Sequence, residues 1–256
     1  MSLVQSAIRR FWWPTKKFYL STVHGYEHTG ERVCPDFPDE NFRNHLRVYE
    51  FAVQFAPGRR VLDVGCGTGY GTAFFLRSGA AAAQGIDLSV EAIRYAKRKF
   101  GKTGATYDMM DAQAISFASG SFDMVFSSEN LEHLPKPADC IAGIRRVLDK
   151  GGIFVLGTPN PEMDLDESGR LENPYHVKEF PFEELEAMLR PHFKTVVIFE
   201  NSMESPFTAG RRKKEERISK GKVGVTSQGG RAVEINGLKI DCSKLHNTHS
   251  FMVVVR

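Results

Sequence analysis

Val61-Leu-Asp-Val-Gly-Cys-Gly-Thr-Gly-Tyr-Gly71 decides the fold. A short apolar run ends in an acid and breaks into four glycines, and helix-forming residues follow at once through Leu76 and Arg77. That order predicts a strand, a tight turn and a helix start. Glycines in such a turn let a ligand approach the backbone, and the new helix directs N–H groups toward it. The next apolar run, Ala81 to Ile86, ends in a second acid, Asp87, at the spacing of a ribose-binding carboxylate.

An adenosine-containing ligand is the first implication. Gly65 and Gly67 match the first two glycines of the dinucleotide fingerprint, but Tyr70 stands where the third glycine belongs. A diphosphate is therefore disfavoured. Asp63, just ahead of the glycines, would repel phosphate and can orient an ammonium group. S-adenosylmethionine has that ammonium, a ribose and no phosphate. No Gly-Lys-Ser/Thr follows the loop, which excludes a P-loop.

Outward from this stretch, strands and helices alternate. Strands are expected at 60–64, 81–86, 105–107, 122–126 and 153–157, with helices at 70–78, 89–100 and 136–148. This order predicts a parallel sheet with helices on both faces. A helix over 42–55 precedes it, stopped by Pro57-Gly58. After a long loop over 158–176, a helix at 181–189 leads to a strand at 193–200, whose partner is the strand at 249–255. Within 201–246, Arg211-Arg-Lys-Lys214 belongs to a basic helical stretch reaching Lys220. The pairs Val223/Val225 and Val233/Ile235, with Gly229-Gly230 between them, suggest a hairpin.

The chain has 256 residues, 41% hydrophobic, with a net charge of +3. These values suit one large folded domain and name no partner. Cys34, Cys66, Cys140 and Cys242 form no CxxC pair and are expected to be reduced in a cytoplasmic protein. No signal peptide or transmembrane run is expected. Residues 2–20 carry Trp12 and Trp13 beside Arg9, Arg10, Lys16 and Lys17. They suit a lid packed on the domain better than a helix on a membrane surface. His24, Tyr26, His28, Glu31 and Arg32 lie in the loop that follows.

An ordered set of motifs resembles the class I, Rossmann-like S-adenosylmethionine-dependent methyltransferases. It comprises the 61–69 loop, Gly85-Ile-Asp-Leu-Ser89, Asp111-Ala112, Ser121-Phe-Asp-Met-Val-Phe126, Leu131-Glu-His-Leu-Pro135 and Leu148-Asp-Lys-Gly-Gly-Ile-Phe154. The resemblance covers about residues 42–200 and the final strand. It implies an α/β, three-layer fold with a seven-stranded, mostly parallel sheet and an antiparallel last strand. The expected organisation is an N-terminal helical cover at 1–57, a core at 58–200 plus 247–256, and an insertion at 201–246. A monomer or homodimer is compatible with it.

The resemblance also implies roles. Asp63 and the amides of Gly65 and Gly67 surround the methionine end, with Ser127 nearby. Asp87 takes the ribose hydroxyls and Leu88 lies against the adenine. Asp111 and the Ala112 amide meet the adenine edge, and Tyr49 or Arg32 reaches the cofactor from the cover. As plain alternatives, Asp87 is a helix-capping acid and Asp111 a turn acid.

For the acceptor, Glu129, Glu132 and His133 resemble the acidic-acidic-histidine group that binds a divalent ion in ubiquinone-biosynthetic O-methyltransferases. Without an ion, His133 suits a general base. No resident metal is the preferred expectation, because hard ions want more oxygen ligands. Asn173-Pro-Tyr-His-Val-Lys-Glu-Phe180 resembles a segment of methyltransferases in bacterial polysaccharide and sugar pathways. It nominates His176 as a base or hydrogen-bonding group, Lys178 for an anion, and Tyr175 for a sugar ring or another small acceptor. The leading expectation is therefore methyl transfer to a hydroxyl of a sugar or glycan precursor. A quinone or phenolic acceptor with a divalent ion is the alternative. An S-adenosylmethionine-binding protein without turnover and a nicotinamide enzyme compete more distantly. Nucleic acid is disfavoured, since the basic 211–220 stretch is more simply a solvated helix face.

Overall fold

The computed structural model describes residues 33–36, 38–161, 173, 175–199, 232–235, 237–242 and 250–256. The expectations for residues 2–20, for the loop with His24 to Arg32 and for the basic stretch at 211–220 lie outside them.

α1 (Glu40–Ala52) starts where the Asp39 carboxylate accepts from the Phe42 amide at 2.9 Å. The core then alternates: β1 (Arg60–Val64), α2 (Tyr70–Arg77), β2 (Ala82–Asp87), α3 (Val90–Phe100), β3 (Thr106–Met109), β4 (Phe122–Ser128), α4 (Pro137–Val147), β5 (Leu148–Pro159). α5 (Phe182–Leu189), β6 (Val196–Phe199), β7 (Ala232–Ile235), β8 (Leu238–Asp241) and β9 (Ser250–Val255) follow.

Seven strands form one sheet in the order β3-β2-β1-β4-β5-β9-β6. The pairs among β1 to β5 are parallel, and β9 runs antiparallel to both of its neighbours, β5 and β6. This is the α/β, Rossmann-like sheet expected. β1, β4, β6 and most of β5 are buried almost continuously, and successive side chains enter opposite faces, as a sheet covered on both sides requires. Leu62, Val64, Val125, Phe154, Leu156, Val253 and Val255 share one core with Ile141 and Ile144 of α4 and Leu185 and Leu189 of α5. Val61, Met124, Phe126, Ile153, Val155 and Val254 share the opposite core with Val48, Tyr49 and Phe51 of α1 and Phe75 of α2. The N-terminal helix is thus part of the core packing.

Two details differ from expectation. β5 starts at Leu148, ahead of Gly151-Gly152, because a register shift lets Phe122 face Leu148 while Met124 faces Ile153. The hairpin pairs β7 with β8, so the partner of residues 232–235 is 238–241. Gly237, at φ +76°, lies between them, and the Asn236-Gly237 pair of the sequence was the stronger hairpin signal; the expected stretch at 223–230 lies outside the described residues.

Strand order reverses on either side of β1, and ligands of open α/β sheets bind at such a point beyond the carboxyl ends of the strands. The described residues hold a cavity of about 450 Å³ there.

Candidate functional site

One end of the cavity follows β1, β2 and β3. Gly65, Cys66, Gly67 and Thr68 line it from the β1–α2 turn, and Asp87, Leu88, Met110, Asp111, Ala112 and Gln113 complete it. The turn is fixed by its own backbone. The amides of Gly65 and Cys66 both donate to Ile86 O at 2.9 Å, which ties the turn to β2. The Thr68 hydroxyl donates to Val33 O at 3.0 Å, which draws the segment 33–36 over the loop.

Asp87 is held by two amides. Its Oδ2 accepts from Gly67 N and its Oδ1 from Ser89 N, each at 2.9 Å. Ser89, rather than Asp87, caps α3, accepting from Ala92 N at 3.2 Å. Beside this carboxylate Leu88 is 67% exposed, an apolar side chain turned into the cavity. Asp111 Oδ1 accepts from Gln113 N at 2.8 Å, and Ala112 follows in the same turn. A side chain added at Gly67 would meet nothing within 4 Å, so the cavity there is roofed by bare backbone.

Asp63 and Ser127 lie beneath this floor, not on it. Asp63 is 1% exposed, accepts from Thr72 Oγ1 at 2.7 Å and from the Tyr49 hydroxyl at 3.2 Å. Burial pushes its carboxyl up to about 7, the Thr72 and Tyr49 hydrogen bonds pull the other way, and the Asp87 charge adds to the rise. Tyr49 does line the cavity and stands over Asp63. Its ring is accommodated by Gly71, where a Cβ would come within 2.0 Å of the ring. Ser127 Oγ donates to Val64 O at 3.1 Å and accepts from Asn130 Nδ2 at 3.2 Å, linking β4 to β1.

The other end is built by side chains beyond β4. Ser128, Glu129, Asn130, His133, Leu134 and Pro135 line it, with His45 and Tyr49 of α1, Tyr70 of α2, and Tyr175. Glu129 has φ +48°, a left-handed backbone that is uncommon outside glycine. Strain of this kind collects at functional sites. Burial lowers the His45 pKa, against the opposing charge of Glu129. Ser128 Oγ is buried without a hydrogen-bond partner.

Behind this wall sits a cluster of acids and imidazoles. Glu132 is fully buried; its Oε2 accepts from Thr158 Oγ1 at 3.1 Å, and its Oε1 has no hydrogen-bond partner. Burial first, and then the Glu129 charge, raise its pKa well above the carboxylate range. His133 Nε2 lies 3.9 Å from Glu132 Oε1, while its Nδ1 lies 3.1 Å from Tyr175 O. A carbonyl only accepts, so Nδ1 carries the proton and Nε2 is the accepting nitrogen. His133 lines the cavity and His176 does not, although their rings pack edge to face at 5.0 Å. His176 Nδ1 lies 2.6 Å from Glu179 Oε1, and its Nε2 lies 2.9 Å from Asn173 Nδ2.

Glu132, His133 and His176 each place one ligand atom within 4.8 Å of the others. The carboxylate suits a divalent ion, since an orphaned buried oxygen is otherwise costly. His176 suits it less well, because both of its nitrogens are engaged. Glu129 belongs to the cavity wall and not to this cluster.

Of the residues singled out from sequence, Gly65, Gly67, Asp87, Leu88, Asp111, Ala112, Glu129, His133, Tyr49 and Tyr175 meet on one cavity. His45 and Tyr70 were missed. His45 and Tyr49 are four apart on one helix, which puts them on one face.

Residues 62–156 match the family described as "Methyltransferase domain". A Mycolicibacterium smegmatis protein named "Probable S-adenosylmethionine-dependent methyltransferase" is 30% identical over 163 residues, covering 63% of this chain and 62% of that protein. A Methylococcus capsulatus "Ubiquinone biosynthesis O-methyltransferase" is 38% identical over 132 residues, covering 48% of this chain and 55% of that protein. The chain therefore spans between half and two thirds of the length of these curated relatives. The crystal structure of the PH0226 protein of Pyrococcus horikoshii shares the fold, with a TM-score of 0.55 at 18% identity over 86% of this chain and 95% of that one. The segment matching the methyltransferase-domain family supplies the cavity wall from Gly65 to Pro135, and Val33, α1 and the segment after β5 supply the remainder.

Proposed function

We propose that this chain is an S-adenosyl-L-methionine-dependent methyltransferase that methylates a hydroxyl of a small, ring-shaped acceptor of phenolic type. The observation that carries the reading is the pairing of Asp87 with Leu88 on the cavity wall. A carboxylate oriented by two amides adjoins an apolar side chain turned into the cavity, which together suit a ribose and its base. The bare backbone at Gly67 and the absence of a lysine or arginine on the cavity wall among the described residues suit a cofactor without phosphate.

In this reading Asp87 takes the ribose hydroxyls, Leu88 and Met110 flank the adenine, and Asp111 with the Ala112 amide meets its edge. Asp63 acts through Tyr49, whose hydroxyl it fixes. When bound, the cofactor supplies an electrophilic methyl group on a sulfonium. Ser128, Glu129 and His133 would hold the acceptor hydroxyl on the facing wall. His133 accepts the hydroxyl proton at Nε2 and carries it as imidazolium, with the Glu132 carboxyl group behind.

A phenolic acceptor is preferred to the sugar expected from the 173–180 segment. The acceptor end sets the rings of Tyr70 and Tyr175 with Leu134 and Pro135 beside Glu129 and His133, an arrangement that suits a flat aromatic ring bearing a hydroxyl. The similarity to the M. capsulatus quinone-pathway protein supports the same choice. A second reading adds a divalent cation at Glu132 and His133, favoured by the orphaned Glu132 Oε1; His176 would join only by releasing Asn173.

The test is calorimetric titration with S-adenosylmethionine, S-adenosylhomocysteine and NAD, repeated with Asp87→Ala. Binding of both sulfur compounds, lost in the variant and absent for NAD, supports the reading. NAD binding alone would overturn it. Loss of turnover on chelation, restored by magnesium or zinc, would establish the second reading.

A further inference from the structure

We propose that Tyr175 is the platform on which a flat aromatic acceptor rests, and that Asn173, His176 and Glu179 are positioning residues that set Tyr175 in place without touching the acceptor. The proposal rests on the methyl-transfer reading of the cavity and names a specificity determinant within it.

Tyr175 is 53% exposed and lines the cavity, yet the backbone that bears it is fastened on both sides. Its N–H donates to Asn173 Oδ1 at 3.0 Å, and its carbonyl accepts from His133 Nδ1 at 3.1 Å. His176 N donates to Asn173 O at 3.3 Å, and the two amides after it, Val177 N and Lys178 N, both donate to Glu132 O, at 2.9 and 3.1 Å. An aromatic side chain on a fixed backbone has only two torsions left to lose, so it offers contact area at low entropic cost.

The orientation of Asn173 follows from this network. Its Oδ1 must face the Tyr175 amide, so its Nδ2 is the atom that donates to His176 Nε2. His176 therefore carries its proton on Nδ1 and donates it to Glu179 Oε1 at 2.6 Å. The side chains of His176 and Glu179 are 7% and 1% exposed. The chain of bonds runs from a buried carboxylate through one imidazole and one amide to the backbone of Tyr175. It also explains why a buried carboxylate is kept there although its Oε2 has no hydrogen-bond partner.

His176 is thus committed at both nitrogens, which removes it from the role of base. It steadies the segment whose carbonyl also holds the His133 tautomer. One network sets the two groups that an aromatic hydroxyl would meet: a ring face at Tyr175 and an accepting nitrogen at His133.

The test uses the full chain with catechol as probe and methyl α-glucoside as control. S-adenosylhomocysteine binding is measured first by calorimetry, then catechol binding to the saturated protein, then methyl transfer to each acceptor. Tyr175→Ala is expected to weaken catechol binding and raise its KM about tenfold, with kcat changed far less, while Tyr175→Phe stays within about threefold of the parent. S-adenosylhomocysteine affinity stays unchanged in both. Glu179→Ala is expected to raise the catechol KM in the same direction, Glu179→Gln to restore it, and Glu179→Ala to add nothing once Tyr175 is alanine. These effects persist in chelator, which separates positioning from metal binding at His176.

If S-adenosylhomocysteine fails to bind the parent, the methyl-transfer reading falls and the platform with it. If it binds while catechol binds Tyr175→Ala as well as the parent, the platform alone is overturned. Preference for the glucoside, or additive effects of Glu179→Ala and Tyr175→Ala, would also overturn it.

Discussion

The two ends of the cavity are made differently. The end beyond β1 and β2 is drawn by backbone: the Gly65 and Cys66 amides on Ile86 O, and the Gly67 and Ser89 amides on Asp87. The end beyond β4 is drawn by side chains from four places, namely α1, α2, the β4–α4 turn and the segment around Tyr175. A backbone-made end holds one shape for any sequence that keeps its turns, which suits a ligand that never varies. A side-chain-made end can be re-cut by single substitutions, which suits the ligand that distinguishes one enzyme of a fold from another.

Substitutions at the two ends should therefore fail in different ways. The largest effect is expected at the acceptor end: His133→Ala lowers kcat by about 10²- to 10⁴-fold, the usual range for a lost general base, with S-adenosylhomocysteine affinity unchanged. Steady-state kinetics beside calorimetry checks this, and a matching loss of cofactor affinity would erase the distinction between the ends. At the other end, Asp87→Ala is expected to weaken the cofactor by about 100-fold, the equivalent of one or two charge-assisted hydrogen bonds.

Gly71→Ala tests the seam where the ends meet. The new Cβ would lie 2.0 Å from the Tyr49 ring, and expelling the ring costs about 1–3 kcal/mol, read as a lower Tm and denaturant midpoint. Cofactor binding and turnover should suffer together, since Tyr49 touches Asp63 below and the cavity above.

A last effect is set by pH and shows as a gradient. Asp63 in the fold titrates at about 7, above its ordinary 3.8, so between those values the folded chain binds more protons than the unfolded one. Stability then falls as pH rises through that window, with a slope of at most about 1.4 kcal/mol per pH unit, and levels off above about 7. Asp63→Asn should flatten this slope in urea titrations run from pH 4 to 8. An unchanged slope would place the titrating group elsewhere.

The same contrast governs how much was legible in the sequence. The backbone-made end was nearly all there, because glycines, a terminal acid and a capping serine act within a few residues of one another. The acceptor end was legible only in part. Glu129, His133 and Tyr175 stood out in the sequence, but His45 and Tyr70 join them only through packing beyond the carboxyl ends of the strands. Nor could spacing show that Asp63 and Ser127 lie under the cavity floor, since strand alternation gives a side chain's face and not its depth. His176 attracted attention through the resemblance of the 173–180 segment, whereas its pairing with Asn173 and Glu179 emerges only from the folded segment. In the hairpin, the glycine pair at 229–230 drew the eye from the Asn236-Gly237 pair of the sequence.

β9 carries one further consequence. It lies between β5 and β6 and is hydrogen-bonded to both, while its side chains enter the cores on both faces. During synthesis these residues are made after both strands that they join, with residues 200–249 intervening between β6 and β9. Until β9 arrives, β5 exposes an open ladder and β6 has no neighbour in the sheet, the condition in which strand edges invite pairing with other chains. Closure is then a single event with two seams. A destabilising change at Val253 or Val254 would act first on the yield of folded protein, before any effect on the cavity at the far side of β4.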